Sequence, residues 1–124
     1  KETGVMCINL VEEHDAVRMN ASSAELGPDV SEIELLSIDT EACASIPCAR
    51  VKSSRASMEC KLVDVHEYGN KVRVNLVVAE VVHFTLADEL ADVDARAHAI
   101  APVARLQGNW YAKLGERFQL ERPK

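Results

Sequence analysis

The stretch Ser-Met-Glu-Cys-Lys-Leu-Val-Asp-Val-His-Glu-Tyr-Gly-Asn-Lys-Val-Arg-Val-Asn-Leu-Val-Val-Ala-Glu-Val-Val-His-Phe-Thr-Leu, residues 57–86, decides the fold class. Apolar side chains alternate at Met58, Cys60 and Leu62, and again at Val72, Val74, Leu76, Val78, Val82, Phe84 and Leu86. A period of two is that of a strand, so the segment reads as one long β-hairpin turning at Tyr68-Gly69-Asn70. From Leu76 to Val82 the opposite face is apolar as well, through Val77, Ala79 and Val81. Such a strand is expected to be covered on both sides, as in a barrel wall that also meets another chain.

Two irregularities refine the picture. In the first strand the apolar phase moves from even to odd numbers between Leu62 and Val63–Val65, the signature of one inserted residue, and such bulges bend strands. A straight second strand of about 16 residues would span roughly 50 Å at about 3.3 Å per residue, too long for a small domain, so the sheet is expected to curl. Glu80 falls on the apolar face, where a carboxylate needs a partner or water; a local slip of phase that turns it outward is the plainer alternative.

The chain has 124 residues, 48% of them hydrophobic, which suits a single domain over residues 1–124. A net charge of −6 leaves no basic stripe to replace phosphate counterions, which argues against a nucleic-acid partner and against an anionic membrane surface. No apolar run approaches the length of a membrane span and nothing reads as a signal peptide, so a cytoplasmic setting is expected. The chain opens without methionine and runs directly into an apolar strand, Val5-Met6-Cys7-Ile8, as the middle of a longer sequence would.

Four cysteines, Cys7, Cys43, Cys48 and Cys60, have no CxxC spacing. Cys7 and Cys60 lie in strand patterns and suit small buried hydrophobes, whereas Cys43 and Cys48 leave open a redox couple or a metal site, for which zinc would want two further ligands. Asn9-Leu10-Val11-Glu12 has the spacing of a helix start, and Glu12, Glu13 and Asp15 suit the positive end of a helix running to about Met19. His14 on that helix is a weak catalytic candidate. A polar loop follows over residues 20–29. Ser31-Glu32-Ile33-Glu34 then forms a capping box for a short helix through Leu36. The small hydroxyl and amide side chains of the loop suit a ligand's polar edge and equally suit an ordinary loop.

Residues 37–56, with Pro47 and the basic residues Arg50, Lys52 and Arg55, read as an extended connection. Residues 87–101 have only a thin helical pattern through Leu90 and Val93 and read as a surface excursion. No phosphate-cradling glycine loop, paired-carboxylate site or Ser/His/Asp set is supported by spacing.

The chemically richest segment is Pro-Val-Ala-Arg-Leu-Gln-Gly-Asn-Trp-Tyr-Ala-Lys-Leu-Gly-Glu-Arg-Phe, residues 102–118. It carries Trp110, Tyr111 and Phe118, three of the five aromatic residues, beside Arg105, Gly108 and Asn109. Aromatic rings that stack, with a fixed cation and an amide to bond edge atoms, suit a planar ligand. The alternative is a terminal segment whose Trp110 and Phe118 seal the barrel.

This segment, with Ala-Glu-Val-Val-His (79–83), Met-Glu-Cys-Lys-Leu (58–62), Met-Asn-Ala-Ser-Ser (19–23) and Val-Ser-Glu-Ile-Glu (30–34), resembles the flavin reductase-like proteins with an FMN-binding split barrel. The order and spacing of these segments agree with that family, and together they span essentially the whole chain. The resemblance implies a mainly β split barrel with small helices, lacking its N-terminal strands in this chain, because the family's main FMN-phosphate and ribityl contacts would precede Lys1. It further implies a homodimer with FMN (or FAD) at the subunit interface and NAD(P)H as electron donor. Arg105, Asn109 and Tyr111 are the expected cofactor neighbours, joined by Asn20 and Ser22; no protein general acid and no metal ligand are assigned.

Some residues depart from the family pattern. Efficient NADH-dependent members often carry Gly-Asp-His at the hairpin turn, where this chain has Gly69-Asn70-Lys71, which puts nicotinamide use in doubt. Ile33 stands for a usual phenylalanine, Ser37 for a usual glycine, and Gln107 for the first glycine of Gly-Gly-Asn. The expected function is that of an FMN-binding oxidoreductase of the flavin reductase type. A flavin-binding module that reduces nothing, or a cofactor-free dimeric scaffold, are the alternatives.

Overall fold

The computed structural model describes residues 3–92 and 99–123. Its centre is the hairpin, with β4 over Ala56–Tyr68 and β5 over Val74–Leu86, thirteen residues each. The opening strand β1, Val5–Asn9, pairs antiparallel with β4, so the main sheet has the order β1-β4-β5 with β5 at an edge. Two further hairpins complete the strands: β2 (Thr40–Ala42) with β3 (Ala49–Val51), and β6 (Val103–Arg105) with β7 (Tyr111–Lys113). Helix α1 spans Glu13–Ala21, α2 is a single turn over Glu32–Leu35, and a 3-10 turn covers Asp88–Leu90.

The register of the long hairpin contains two irregularities. Leu62 faces Ala79 and Asp64 faces Val78, so Val63 is the extra residue on β4, where the apolar phase changes. Glu59 faces His83 while Cys60 faces Val81, which makes Val82 an extra residue on β5. The second bulge is silent in the sequence because both Val81 and Val82 are apolar. Glu80 is exposed and opposite Lys61, so it has water and an unlike charge across the ladder rather than an apolar surround.

The turn is longer than the sequence suggests. β5 begins at Val74, and Val72, expected in the strand, lies 75% exposed in the connection. Gly69 adopts φ +90°, and a Cβ there would fall 2.1 Å from the Val72 carbonyl oxygen, so the chain doubles back where only glycine fits. The expected two-sided cover of β5 is not supplied by the described residues: Leu76, Val77, Val78, Val81 and Val82 are all exposed. Few large apolar side chains are buried here, Ile46 and Leu90 among them.

The helix expected to start at Asn9 starts four residues later. Strand pairing wins locally, since Asn9 faces Ser57 in the β1–β4 ladder and Leu10 N–H donates to the Ala56 carbonyl at 2.9 Å. The Asn9 side chain is spent across the fold, its Oδ1 accepting from Val51 N–H and from Ser57 Oγ, each at 3.0 Å. Ser31 does occupy the N-cap of α2, but its side chain makes no capping hydrogen bond. Residues 37–56 are more than a connection, because β2 and β3 fold them into a hairpin. Of the excursion at 87–101, Leu90 is wholly buried under the 3-10 turn, while Val93 lies outside the described residues.

Helix α2 ends in a tight stop: Ile38 N–H donates to the Ile33 carbonyl at 2.9 Å and Ser37 takes φ +49°. A residue with a Cβ pays for that left-handed backbone, by roughly 1 kcal/mol. Ser37→Gly is therefore expected to stabilise the protein by up to about 1 kcal/mol, less the entropy that glycine gains when unfolded, read as a raised midpoint in urea unfolding. A lower midpoint would show that the Ser37 side chain holds the loop by itself.

Candidate functional site

The C-terminal hairpin β6–β7 carries the site. Its turn is closed by Leu106 N–H donating to the Trp110 carbonyl at 2.9 Å, with Gly108 at φ +62°. The ladder places Arg105 directly opposite Tyr111. Arg105 Nη1 donates to Tyr111 Oη at 2.5 Å, and the guanidinium carbon lies 4.8 Å from the ring centroid. Tyr111 Oη in turn donates to Asn20 Oδ1 at 2.9 Å. Asn20 comes from the last turn of α1, 91 residues away in the chain, so the hydrogen bonds tie helix and hairpin together.

The hairpin is held against the start of α1 by backbone as well, through Val103 N–H to the Val11 carbonyl at 2.9 Å and a bridge between Glu12 and Pro102. Between them lies a cleft of about 440 Å³, with Leu10, Val11, Met19 and Val103 as apolar walls and Arg105 and Tyr111 at its polar side. Its size and lining are those of a small-molecule pocket: mostly apolar, with few polar groups that fix orientation. A planar guanidinium such as that of Arg105 bonds carbonyl or phosphate oxygens in pairs.

The five residues named from sequence are thus only partly assembled. Arg105, Tyr111 and Asn20 form one continuous hydrogen-bonded set. Asn109 sits exposed in the β6–β7 turn, outside that chain of bonds. Ser22 Oγ donates to the Met19 carbonyl at 2.7 Å, which closes the C-terminal end of α1, and the residue lines a separate cavity of about 130 Å³ with Asp15 and Arg18. Trp110 and Phe118 are 73% and 83% exposed, so neither seals an interior within the described residues.

Two buried carboxylates have no counterpart in the sequence reading. Glu12, at the N-cap of α1, makes no capping bond to its own helix. Its carboxylate is gripped by Arg55, with Nε to Oε2 and Nη2 to Oε1 both at 2.5 Å, and accepts Ala101 N–H at 2.9 Å. The hydrogen bonds from Arg55 outweigh burial and hold its pKa below the ordinary carboxylate value, while the pairing raises that of Arg55. Glu59 is fully enclosed, its oxygens accepting Ala44 N–H at 2.7 Å and Ser45 N–H at 2.6 Å. Burial alone would push its pKa up; the backbone donors, with His83 nearby, overcome this and hold it low. A broad depression near Glu12, about 720 Å³, has Arg55 and Lys113 on its walls, but these pair with Glu12 and Glu13. Its cations are already spoken for, so the cleft beside Arg105 is the better ligand site.

Among the described residues no helix is long and apolar enough to cross a membrane. A mainly β chain thus places a cation–aromatic pair at the side of an apolar cleft. The comparison with known families makes this specific: residues 1–101 match the flavin reductase like domain, and the chain belongs to that family. An uncharacterised protein of Halalkalibacterium halodurans is 33% identical over 99% of this chain and 61% of its own length. Among solved structures, nitrilotriacetate monooxygenase component B from Bacillus cereus is 32% identical with TM-score 0.88, over 96% of this chain and 61% of that one. A protein from Shewanella frigidimarina, described as a flavin reductase with split barrel domain, superposes with TM-score 0.85 at 24% identity, over 98% of this chain and 62% of that one, which shows the split-barrel fold. The chain therefore spans about three fifths of the length of these relatives.

Proposed function

We propose that this chain belongs to the flavin-binding unit of an oxidoreductase that moves electrons from NAD(P)H to FMN, working as a homodimer with the flavin at the subunit interface. The observation that carries the reading is the set Arg105–Tyr111–Asn20 beside an apolar cleft. Family membership and the likeness to nitrilotriacetate monooxygenase component B support it. The residues fit the group: the apolar walls suit an isoalloxazine ring, and Arg105 and Tyr111 suit its carbonyl edge or a phosphate. When bound, a flavin supplies hydride acceptance and one-electron transfer. The protein's part is to orient the ring, keep a positive charge near it and exclude water. The exposed apolar surface of β5 offers the second subunit a face to cover.

The test is binding of FMN and FAD by the purified protein, followed by flavin fluorescence, and then anaerobic addition of NADH or NADPH. Arg105→Ala is expected to weaken FMN binding by about ten- to a hundredfold, since a charged hydrogen bond contributes on the order of 1.5–3 kcal/mol and 1.4 kcal/mol is tenfold. Tyr111→Phe, which removes only the hydroxyl, is expected to weaken it by less, about two- to tenfold. Unchanged affinity in Arg105→Ala would remove the cleft from consideration. Stoichiometric flavin that neither nucleotide bleaches would leave a binding module in place of a reductase.

A further inference from the structure

Three of the four cysteines converge at the loop that joins β2 to β3. Cys43 and Cys48 continue the β2–β3 ladder one step beyond Ala42 and Ala49, with Cys43 N–H donating to the Cys48 carbonyl at 3.0 Å. Their sulfur atoms are 3.6 Å apart, and both side chains are half-buried, within reach of a small solute. Residues opposite one another in an antiparallel ladder have Cα atoms about 4.5–5.5 Å apart, inside the range that a disulfide spans. The sulfurs close the remaining distance by side-chain rotation. Cys7 stands on β1 directly opposite Glu59, and interacts with Cys43.

The loop between the two cysteines is held in place from below. Ala44 and Ser45, which follow Cys43, donate their N–H groups to the enclosed Glu59 carboxylate, and Ile46 is buried. This fixes the backbone that brings Cys48 back to Cys43. Metal binding is the rival use of such a cluster, yet no group of three or more ligating side chains with suitable geometry occurs among the described residues. Burial first, then neighbouring thiols and Glu59, push Cys7 up to about 12 and Cys48 up to about 11. A disulfide carries no charge and is not penalised by that surround.

We propose that Cys43 and Cys48 are a dithiol–disulfide couple, oxidised by low-molecular-weight disulfides such as oxidised glutathione. In the first step one cysteine, as its thiolate, attacks a sulfur of the oxidant; a protein–glutathione disulfide forms and one glutathione thiolate leaves. In the second, the other cysteine attacks the protein sulfur of that mixed disulfide and expels the second glutathione. The pair loses two electrons and two protons, and the oxidant becomes two glutathione thiols. Burial holds the Cys48 thiol protonated at neutral pH, so attack by Cys48 accelerates as pH rises. The couple sits on a different hairpin from the Arg105 cleft, and does not depend on the flavin assignment.

Trypsin separates the cysteines cleanly, because residues 19–50 contain both Cys43 and Cys48 and no internal Lys or Arg, while Cys7 falls in 2–18 and Cys60 in 56–61. The reduced full chain is incubated with oxidised glutathione at about pH 8.5, near the ordinary thiol pKa. It is then alkylated in denaturant, digested and weighed. The expected product is peptide 19–50 lighter by two hydrogen atoms and unalkylated, with peptides 2–18 and 56–61 carrying alkylated cysteines. In Cys48→Ser the resolving thiol is gone, so glutathione should remain on Cys43 as a stable adduct that the unaltered chain does not accumulate. Peptide 19–50 bearing two alkyl groups or two glutathiones overturns the proposal. So does peptide 19–50 joined to 2–18, which would make Cys7 the partner.

Discussion

Replacing Arg55 with methionine is expected to destabilise the fold by about 3–5 kcal/mol, because it leaves the Glu12 carboxylate buried without its cation. Glu12 is only 6% exposed, and of its described partners Ala101 N–H alone would remain. The loss reaches further than one pair. Arg55 also donates to the Ala99 carbonyl at 2.6 Å and lies 3.6 Å from Glu89, so this one guanidinium joins the start of α1, the foot of the main hairpin and the approach to β6. Urea unfolding measures the effect. The double variant Glu12→Gln, Arg55→Met should recover part of the loss, since the uncompensated charge is then absent. The pH dependence follows from the same pair. The folded pKa of Glu12 lies below its ordinary value of 4.5, so its contribution is present above that value and disappears as pH falls through the folded one. A single variant as stable as the parent would mean that Arg55 is not what holds Glu12.

The second large effect is expected at Glu59. Its two oxygens each take one backbone N–H, from Ala44 and from Ser45. In Glu59→Gln one oxygen becomes an amide NH₂, so one of these donors faces another donor in an enclosed space. The loop should then open more readily, with hydrogen exchange at Ala44 and Ser45 faster by roughly tenfold or more. Acid should act on the parent in the same direction: the low folded pKa means that stability is held above the ordinary carboxylate range and lost as Glu59 protonates. If exchange at both amides is unchanged in Glu59→Gln, the loop is held by Ile46 and the β2–β3 ladder and not by the carboxylate.

These two carboxylates mark what a sequence alone conceals. Glu59 falls at a polar position in an alternating strand, where it reads as facing water. Its enclosure comes from Ala44 and Ser45, which reach it only after β2 and β3 have folded, and two three-residue strands around Pro47 leave too short a pattern to see. Glu12 likewise reads as a partner of an Asn9 cap, until the β1–β4 ladder claims Asn9. By contrast the long hairpin was legible because its period repeats over both strands, and the bulge at Val63 because it shifts that period. The candidate site divides in the same way. Arg105 and Tyr111 stand six residues apart on one hairpin, in a segment whose composition is unusual. Asn20 entered by resemblance to a family motif, and the structure puts it in the same hydrogen-bonded set. Ser22, named on the same grounds, is turned to its own helix instead.

The position of β5 at the sheet edge has a consequence for how the chain reaches its native state. Thirteen residues of mostly valine and leucine present unpaired backbone donors and acceptors along one side, among the described residues, with apolar side chains exposed on both faces. Such an edge is a template onto which another strand can add. Productive folding therefore competes with strand addition between copies, and the competition steepens with concentration. Arg73 just before the strand and Glu80 within it are charges of the kind that slow strand addition, so neutralising Glu80 is expected to lower solubility.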